Sequence, residues 1–241
     1  MAYYLSLRSY QPYAQGHFEW ENEGAYKSYG SIASGLSRGF WIDPDLMPKS
    51  ARQTRDKRLH DVIPMPGMNA VNQRFKDLVE EFEPGIHQFI PLELHDRKGV
   101  PIEDQYYVFN CMVSMDALLV RESGLHWQVD EPSGQPIIRI NTDKPMVLSK
   151  PAIGSHHLWM GLYLHPHTRD DVFCSNAFQK ALKARKIRYL DQKPCEELDL
   201  PWTPEDNIQP ALDWEKVHGE PWGYRPKIRA SILKERGRLE L

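Results

Sequence analysis

The feature that most constrains how this chain folds is a pair of strand-like apolar runs on either side of one tight turn. Residues 87–95 and 105–112 flank the turn that begins Asp96-Arg-Lys-Gly99. Glycine adopts a positive φ at little cost, so this turn can reverse the chain within a few residues. The centre of the chain therefore predicts an antiparallel β-hairpin.

Two longer helices are predicted around this hairpin, each from a capping residue and an apolar face. Asn69 is the predicted N-cap of the first helix, which Pro84-Gly85 ends. Its apolar residues recur at helical spacing and are Val71, Phe75, Leu78, Val79 and Phe82. Ser175 is the predicted N-cap of the second helix, over residues 176–185, which buries Phe178, Ala181 and Leu182. A shorter helix is predicted over residues 115–120.

The remaining apolar runs are predicted strands, and they complete an α+β fold. They cover residues 3–7, 38–42, 125–129, 136–140, 158–164, 172–174 and 187–190. The core is predicted to contain Phe75, Leu78, Phe89, Val108, Phe109, Trp159, Phe178 and Leu182. We expect a largely antiparallel sheet with a few helices packed on it and long irregular N- and C-terminal segments.

The predicted organisation has three parts within one compact unit. Residues 1–68 form N-terminal strands and loops that we expect to belong to the same domain as the rest. Residues 69–192 form the α+β core. Residues 193–241 form a segment, first acidic and then basic, that packs on this core.

Composition indicates a soluble globular protein. The 241 residues are 41% hydrophobic and 26% charged, and the net charge of −3 does not favour a general nucleic-acid binder. No apolar run approaches the roughly 18 residues that a membrane helix needs. Residues 1–10 lack the basic start and the long apolar run of a signal peptide, so we expect a cytoplasmic protein.

The cysteines indicate neither a disulfide framework nor a thiolate zinc site. Their number is odd and no Cys-x-x-Cys spacing occurs among Cys111, Cys174 and Cys195. Cys111 lies in an apolar strand-like run, where a buried structural thiol is expected more often than a nucleophile.

Two chemical alternatives remain open, although neither has a complete motif. A metal-dependent hydrolase would use the histidine cluster His156, His157, His165 and His167 with Asp170. Adjacent residues of a strand point to opposite faces, however, so His156 and His157 cannot both bind one ion in an extended segment. A nucleic-acid-associated protein would use the basic residues 49–58 and 225–238. The main expectation is therefore no catalytic residues, no metal and no cofactor.

The order of the motifs over residues 70–192 resembles the eleventh family of bacterial polymorphic-toxin immunity proteins, formerly a domain of unknown function. The matching segments are His87-Gln-Phe-Ile-Pro-Leu92 with its Asp-x-x-Gly turn, Tyr106-Tyr-Val-Phe-Asn110 before Met115-Asp-Ala117, Gly154-Ser-His-His-Leu-Trp159, Val172-Phe-Cys-Ser175 and Ile187-Arg-Tyr-Leu190. The order of these segments along the chain indicates the family, more than any one of the motifs does alone. The resemblance implies a cytoplasmic antidote that binds a secreted toxin, such as a type VI secretion effector, and blocks it.

Charge then suggests where such a toxin would bind. If the toxin is a nuclease, its active cleft is basic and attracts an acidic inhibitor. The expected toxin-binding residues are Glu80, Glu81, Glu196, Glu197, Asp199, Trp202, Glu205, Asp206 and Trp214. The competing interpretation is a solvated helix face for the first two and a strap packed on the core for the rest, with the tryptophans serving as packing residues. Whether the protein forms homo-oligomers is left open.

Overall fold

The computed structural model describes residues 1–7, 17–21, 36, 41–55, 58–65, 68–131, 134–138, 144–161, 171–188, 190–220 and 222. The strands of the described residues are β1 Ala2–Ser6, β2 Phe18–Trp20, β3 Ser50–Gln53, β4 Val62–Met65, β5 Met68–Asn72, β6 Gln88–His95, β7 Tyr106–Asn110, β8 Trp127–Val129, β9 Pro136–Ile138, β10 Val147–Ser149, β11 Leu158–Trp159, β12 Asp171–Ser175 and β13 Asp191–Leu198. The helices of the described residues are α1 Gln73–Phe82, α2 Lys150–Ile153, α3 Asn176–Ala184, α4 Pro204–Asn207 and α5 Gln209–His218, and a 3-10 turn covers Pro44–Leu46.

The strands form two main sheets and a small ribbon, which confirms the predicted α+β fold. The larger sheet has the order β2-β3-β6-β7-β5-β4, and the second has the order β10-β13-β1-β12-β11. Strands β8 and β9 pair with each other. All these pairs are antiparallel except β3 with β6 and β10 with β13.

The predicted central hairpin is confirmed as β6 and β7, which pair with Phe89 opposite Phe109. The carboxylate of Asp96 accepts hydrogen bonds from the backbone N–H groups of Lys98 and Val100, both at 2.8 Å. Gly99 has a φ of +81°, the left-handed conformation that glycine adopts most readily. Local turn chemistry therefore reverses the chain at the end of β6.

The first long helix begins later than predicted, because a strand precedes it. Asn72, and not Asn69, is the N-cap, and its side chain accepts a hydrogen bond from the N–H of Phe75 at 3.2 Å. Asn69 and Val71 belong to β5, which pairs with both β4 and β7. Residues 68–71 of β5 are all buried, so its apolar residues do not alternate with exposed ones as in a strand with one solvated face. The sequence pattern was therefore interpreted as the first turn of a helix.

The second long helix is confirmed, and two shorter predictions are wrong. Ser175 caps α3 by accepting from the N–H of Phe178 at 3.1 Å. Residues 115–120 do not form the predicted helix but run beside β10, where the N–H of Leu119 donates to the carbonyl of Val147 at 2.9 Å. Residues 187–190 contain no described strand, because the chain rejoins the sheet only at Asp191.

Other predicted strands are confirmed in part. Strand β1 covers the prediction at residues 3–7, and β8 and β9 cover most of the pair at 125–129 and 136–140. Residues 38–40, 139–140 and 162–164 lie outside the described residues. Residues 41 and 42 are described and are not in a strand.

The largest apolar cluster joins the two sheets through α1 and α3. Leu5 from the second sheet and Val71 and Phe109 from the first contact this cluster, together with Phe75 of α1 and Phe178 of α3. Seven of the eight predicted core residues are buried, and Phe89 is half-buried. The apolar faces of the two helices therefore pack in one core with residues of both sheets.

Candidate functional site

The acidic segment, residues 196–215, is the most unevenly charged stretch of the described chain. Its twenty residues contain no Lys, Arg or His and seven carboxylates, Glu196, Glu197, Asp199, Glu205, Asp206, Asp213 and Glu215. The segment begins inside β13, which lies between β10 and β1 in the second sheet. It then continues through α4 into α5.

Buried polar contacts fix this segment against the rest of the molecule. Asn207 is 3% exposed, and its side-chain oxygen accepts from the N–H of Val120 at 2.9 Å. The carbonyl of Asn207 accepts from the indole N–H of Trp127 at 2.8 Å. Ser149 donates from its hydroxyl to the carbonyl of Leu200 at 2.5 Å. The acidic segment is thus a rigidly attached part of the fold.

Most carboxylates of the acidic segment face solvent without a cationic side chain beside them. Glu196, Asp199, Glu205, Asp206 and Asp213 are exposed. Within the described part of the chain, none of the seven carboxylates forms a salt bridge with Lys or Arg, and Glu197 pairs with the N-terminal ammonium. Among the described residues, the negative charge of this segment is therefore not compensated by Lys or Arg side chains.

The tryptophans of this region have intramolecular roles. Trp202 is half-buried and donates its indole N–H to the carbonyl of Leu118 at 3.1 Å. Trp222 is 5% exposed and donates to the carbonyl of Pro136 at 2.7 Å. Trp214 is half-buried and stacks on His218 with ring centroids 4.2 Å apart. Packing of the C-terminal segment on the core accounts for Trp202 and Trp222, and a role for Trp202 or Trp214 as a toxin anchor stays a prediction.

The other two expected toxin-binding residues lie on a different element. Glu80 and Glu81 are at the C-terminal end of α1, and Glu81 pairs with Arg185 just beyond α3. The carboxylate of Glu80 accepts from the N–H of Gly85 at 2.9 Å. Arg185 compensates the charge of Glu81, whereas Glu80 forms no ion pair within the described residues.

Glu83 is a buried carboxylate at the C-cap of α1. It is 3% exposed and accepts from Nε2 of His87 at 2.5 Å and from the N–H of His157 at 2.6 Å. The N–H of Met112 donates to Nδ1 of His87 at 3.1 Å, which fixes the hydrogen on Nε2 of this imidazole. The spacing of Glu83 and His87, four residues apart, was the one local signal for this pair.

Burial and hydrogen bonding act in opposite directions on Glu83. Burial raises the pKa of the carboxyl group, whereas the hydrogen bonds from His87, His157 and Leu158 lower it. The hydrogen bonds prevail, and the pKa of Glu83 lies below its ordinary value. A charged Glu83 therefore joins the end of α1, the start of β6 and the residues before β11.

The described histidines of the predicted cluster take separate partners. Nδ1 of His157 lies 2.8 Å from the hydroxyl of Ser175, and Nδ1 of His156 lies 3.4 Å from a carboxylate oxygen of Glu83. His165 and His167 lie outside the described residues. In the part of the chain that the structure describes, no three His, Cys, Asp or Glu side chains are placed to hold a metal ion.

All three cysteines are free and buried. Burial raises the pKa of the Cys195 thiol to about 12 and raises the pKa of Cys111 and Cys174 further. The interpretation of Cys111 as a buried structural thiol is confirmed, because a thiol with a raised pKa is a poor nucleophile.

None of the helices in the described residues is both long and apolar enough to cross a membrane.

Comparison with known proteins agrees with the resemblance in the motifs. The model of the Immunity protein family (Imm11) matches residues 17–197, and so extends well before the motifs that begin at residue 70. No curated protein matches this chain. The match to the family model spans 181 of the 241 residues, and the chain belongs to that family of immunity proteins.

Proposed function

We propose that this immunity protein binds a cognate secreted toxin through its acidic segment and covers the toxin's active cleft. In this proposal the protein acts in the cytoplasm by binding alone and needs neither catalytic residues nor a cofactor. The observation that supports it is the negative charge of residues 196–215, which no Lys or Arg of the described residues pairs with, on a firmly attached surface. A rigid surface loses little conformational freedom when it binds, which favours affinity.

The proposed toxin is a nuclease. An enzyme that cleaves nucleic acid binds phosphates and therefore presents a basic cleft. A surface with several exposed carboxylates and no competing cations complements such a cleft and speeds the encounter with it. Glu196, Asp199 and Glu205 are the exposed residues that we expect to contribute most to this attraction.

The direct test is to express the cognate toxin with and without the protein, and to measure bacterial growth and complex formation. The test variant is the triple change Glu196→Lys, Asp199→Lys and Glu205→Lys. The matched control is Glu103→Lys, Glu122→Lys and Glu131→Lys, which alters three exposed carboxylates elsewhere by the same total charge.

The test variant is expected to associate with the toxin about tenfold more slowly at low salt and to protect cells less well. The difference should shrink above about 0.1 M salt, where the Debye length falls to about 10 Å. The control variant should associate at the rate of the unaltered protein. Equal rates for the two triple variants would place the interface outside the acidic segment.

A further inference from the structure

An open groove of about 760 Å³ lies beside the start of α1 and shares no residue with the acidic segment. Its volume falls within the roughly 300–1,000 Å³ of small-molecule sites. Leu59 and Ile102 supply an apolar part of its lining, and both also pack against the core of the first sheet. Four cationic side chains share the lining, Arg58, Arg74, Lys186 and Arg188.

Three carboxylates also line the groove, and two of them already have partners. Asp61 accepts from Arg74 at 2.9 Å and from the side-chain amide of Asn72 at 3.0 Å. The carboxylate of Asp96 accepts hydrogen bonds from two backbone N–H groups of the hairpin turn. Only the exposed Asp104 takes no hydrogen bond or ion pair within the described residues.

Only one of the four cations that line the groove forms an ion pair with a described residue. Arg74 is satisfied by Asp61 and by the carbonyl of Arg185. Arg58, Lys186 and Arg188 are exposed and form no salt bridge with any described residue. Within the described residues, three cations of the lining therefore form no ion pair, against two carboxylates, Asp96 and Asp104, that form none. The N-terminus of α1 adds the positive end of its helix dipole at the same place.

We propose that this groove binds a small phosphorylated ligand of the nucleotide class. Guanidinium groups bind phosphate oxygens through paired hydrogen bonds, and two of the unmatched cations are arginines. The apolar lining at Leu59 and Ile102 suits a planar base, and the volume suits a mononucleotide. This binding is separate from toxin neutralisation, because the two surfaces have opposite charge and share no residue.

The experiment is isothermal titration calorimetry of the full chain with ATP, AMP and adenosine, without any toxin. The test variant is Arg58→Gln with Arg188→Gln. The control is Lys180→Gln with Lys183→Gln, which removes two exposed cations of α3 that do not line the groove. Lys186→Gln is a second test variant in case the arginine pair alters folding, and the melting temperature of every variant is compared with that of the unaltered protein.

We expect ATP to bind at one site and adenosine to bind at least about tenfold more weakly, because the cations contact phosphate. The test variants should weaken ATP binding by about tenfold or more, and the control should change it by less than about twofold. The proposal fails if ATP at about 1 mM gives no binding, or if adenosine binds as well as ATP. It also fails if the control weakens binding as much as the test variants do, since that result would indicate a diffuse basic surface that attracts any polyanion.

Discussion

Replacing Glu83 with alanine is expected to destabilise the fold far more than the same change at Glu81, two residues away on the same helix end. Glu83 is buried and accepts hydrogen bonds from His87, His157 and Leu158. Hydrogen bonds to a charged acceptor contribute about 1.5 kcal/mol or more each, and loss of the acceptor leaves buried donors without a partner. We therefore expect a loss of about 3 to 5 kcal/mol of unfolding free energy.

The matched control is Glu81→Ala. The Glu81 side chain is 59% exposed and pairs with Arg185, whose side chain is 34% exposed, so solvent screens this ion pair. Exposed ion pairs contribute about 0 to 1 kcal/mol. Urea unfolding followed by circular dichroism measures both variants. If Glu83→Ala loses no more stability than Glu81→Ala, the buried carboxylate does not join the two sheets as we describe.

The effect of Glu83 should also depend on pH. Because its pKa is lowered in the folded protein, its contribution is fully present above the unfolded pKa of about 4.3 and is lost as the pH falls through the folded pKa. The Glu83→Gln variant cannot ionise. Its stability deficit relative to the unaltered protein should therefore be largest near pH 7 and should shrink below about pH 4.

Three further expectations concern other sites. The hydrogen bond that His95 donates to the carboxylate of Glu21 raises the pKa of His95 above its usual value, and Glu21→Gln should lower it toward 6.5 in an NMR titration. This contribution to stability is present below the unfolded histidine pKa and is lost as the pH rises through the folded one, so an unchanged His95 titration would contradict it. The three buried cysteines should react with a thiol reagent only after denaturant is added, and rapid reaction of one thiol in the native protein would show that it is exposed. Trp222→Ala should cost about 3 to 5 kcal/mol by leaving a cavity against Ile137 and the carbonyl of Pro136, whereas a change below about 1 kcal/mol would show that α5 is held elsewhere.

Local signals in the sequence predicted the elements that local interactions determine. The turn at residues 96–99 and the Ser175 cap each involve residues only a few positions apart, so the hairpin and α3 were found at nearly the correct bounds. The wrong predictions concern segments whose structure depends on residues that are far away in the sequence. Met68–Asn72 is a strand because β4 and β7 flank it, and residues 115–120 are extended because β10 lies beside them.

In the candidate site, too, local features could be predicted from the sequence and long-range contacts could not. The excess of carboxylates in residues 196–215 is visible in the composition. That Cys195 pairs with Ala2, so that the segment starts from the interior of a sheet, depends on contact between opposite ends of the chain. The burial of Glu83 likewise depends on His157, which is 74 residues away. Patterns of neighbouring residues contain no information about such contacts.

Amide hydrogen exchange of the protein with and without its cognate toxin would show whether the acidic segment forms the toxin-binding surface, as we propose. We expect bound toxin to slow exchange most strongly in residues 199–215. Exchange at the tip of the β6–β7 hairpin, around residues 96–99, should change little. Protection at that hairpin or along the groove beside α1, with no change in residues 199–215, would show that the toxin binds elsewhere.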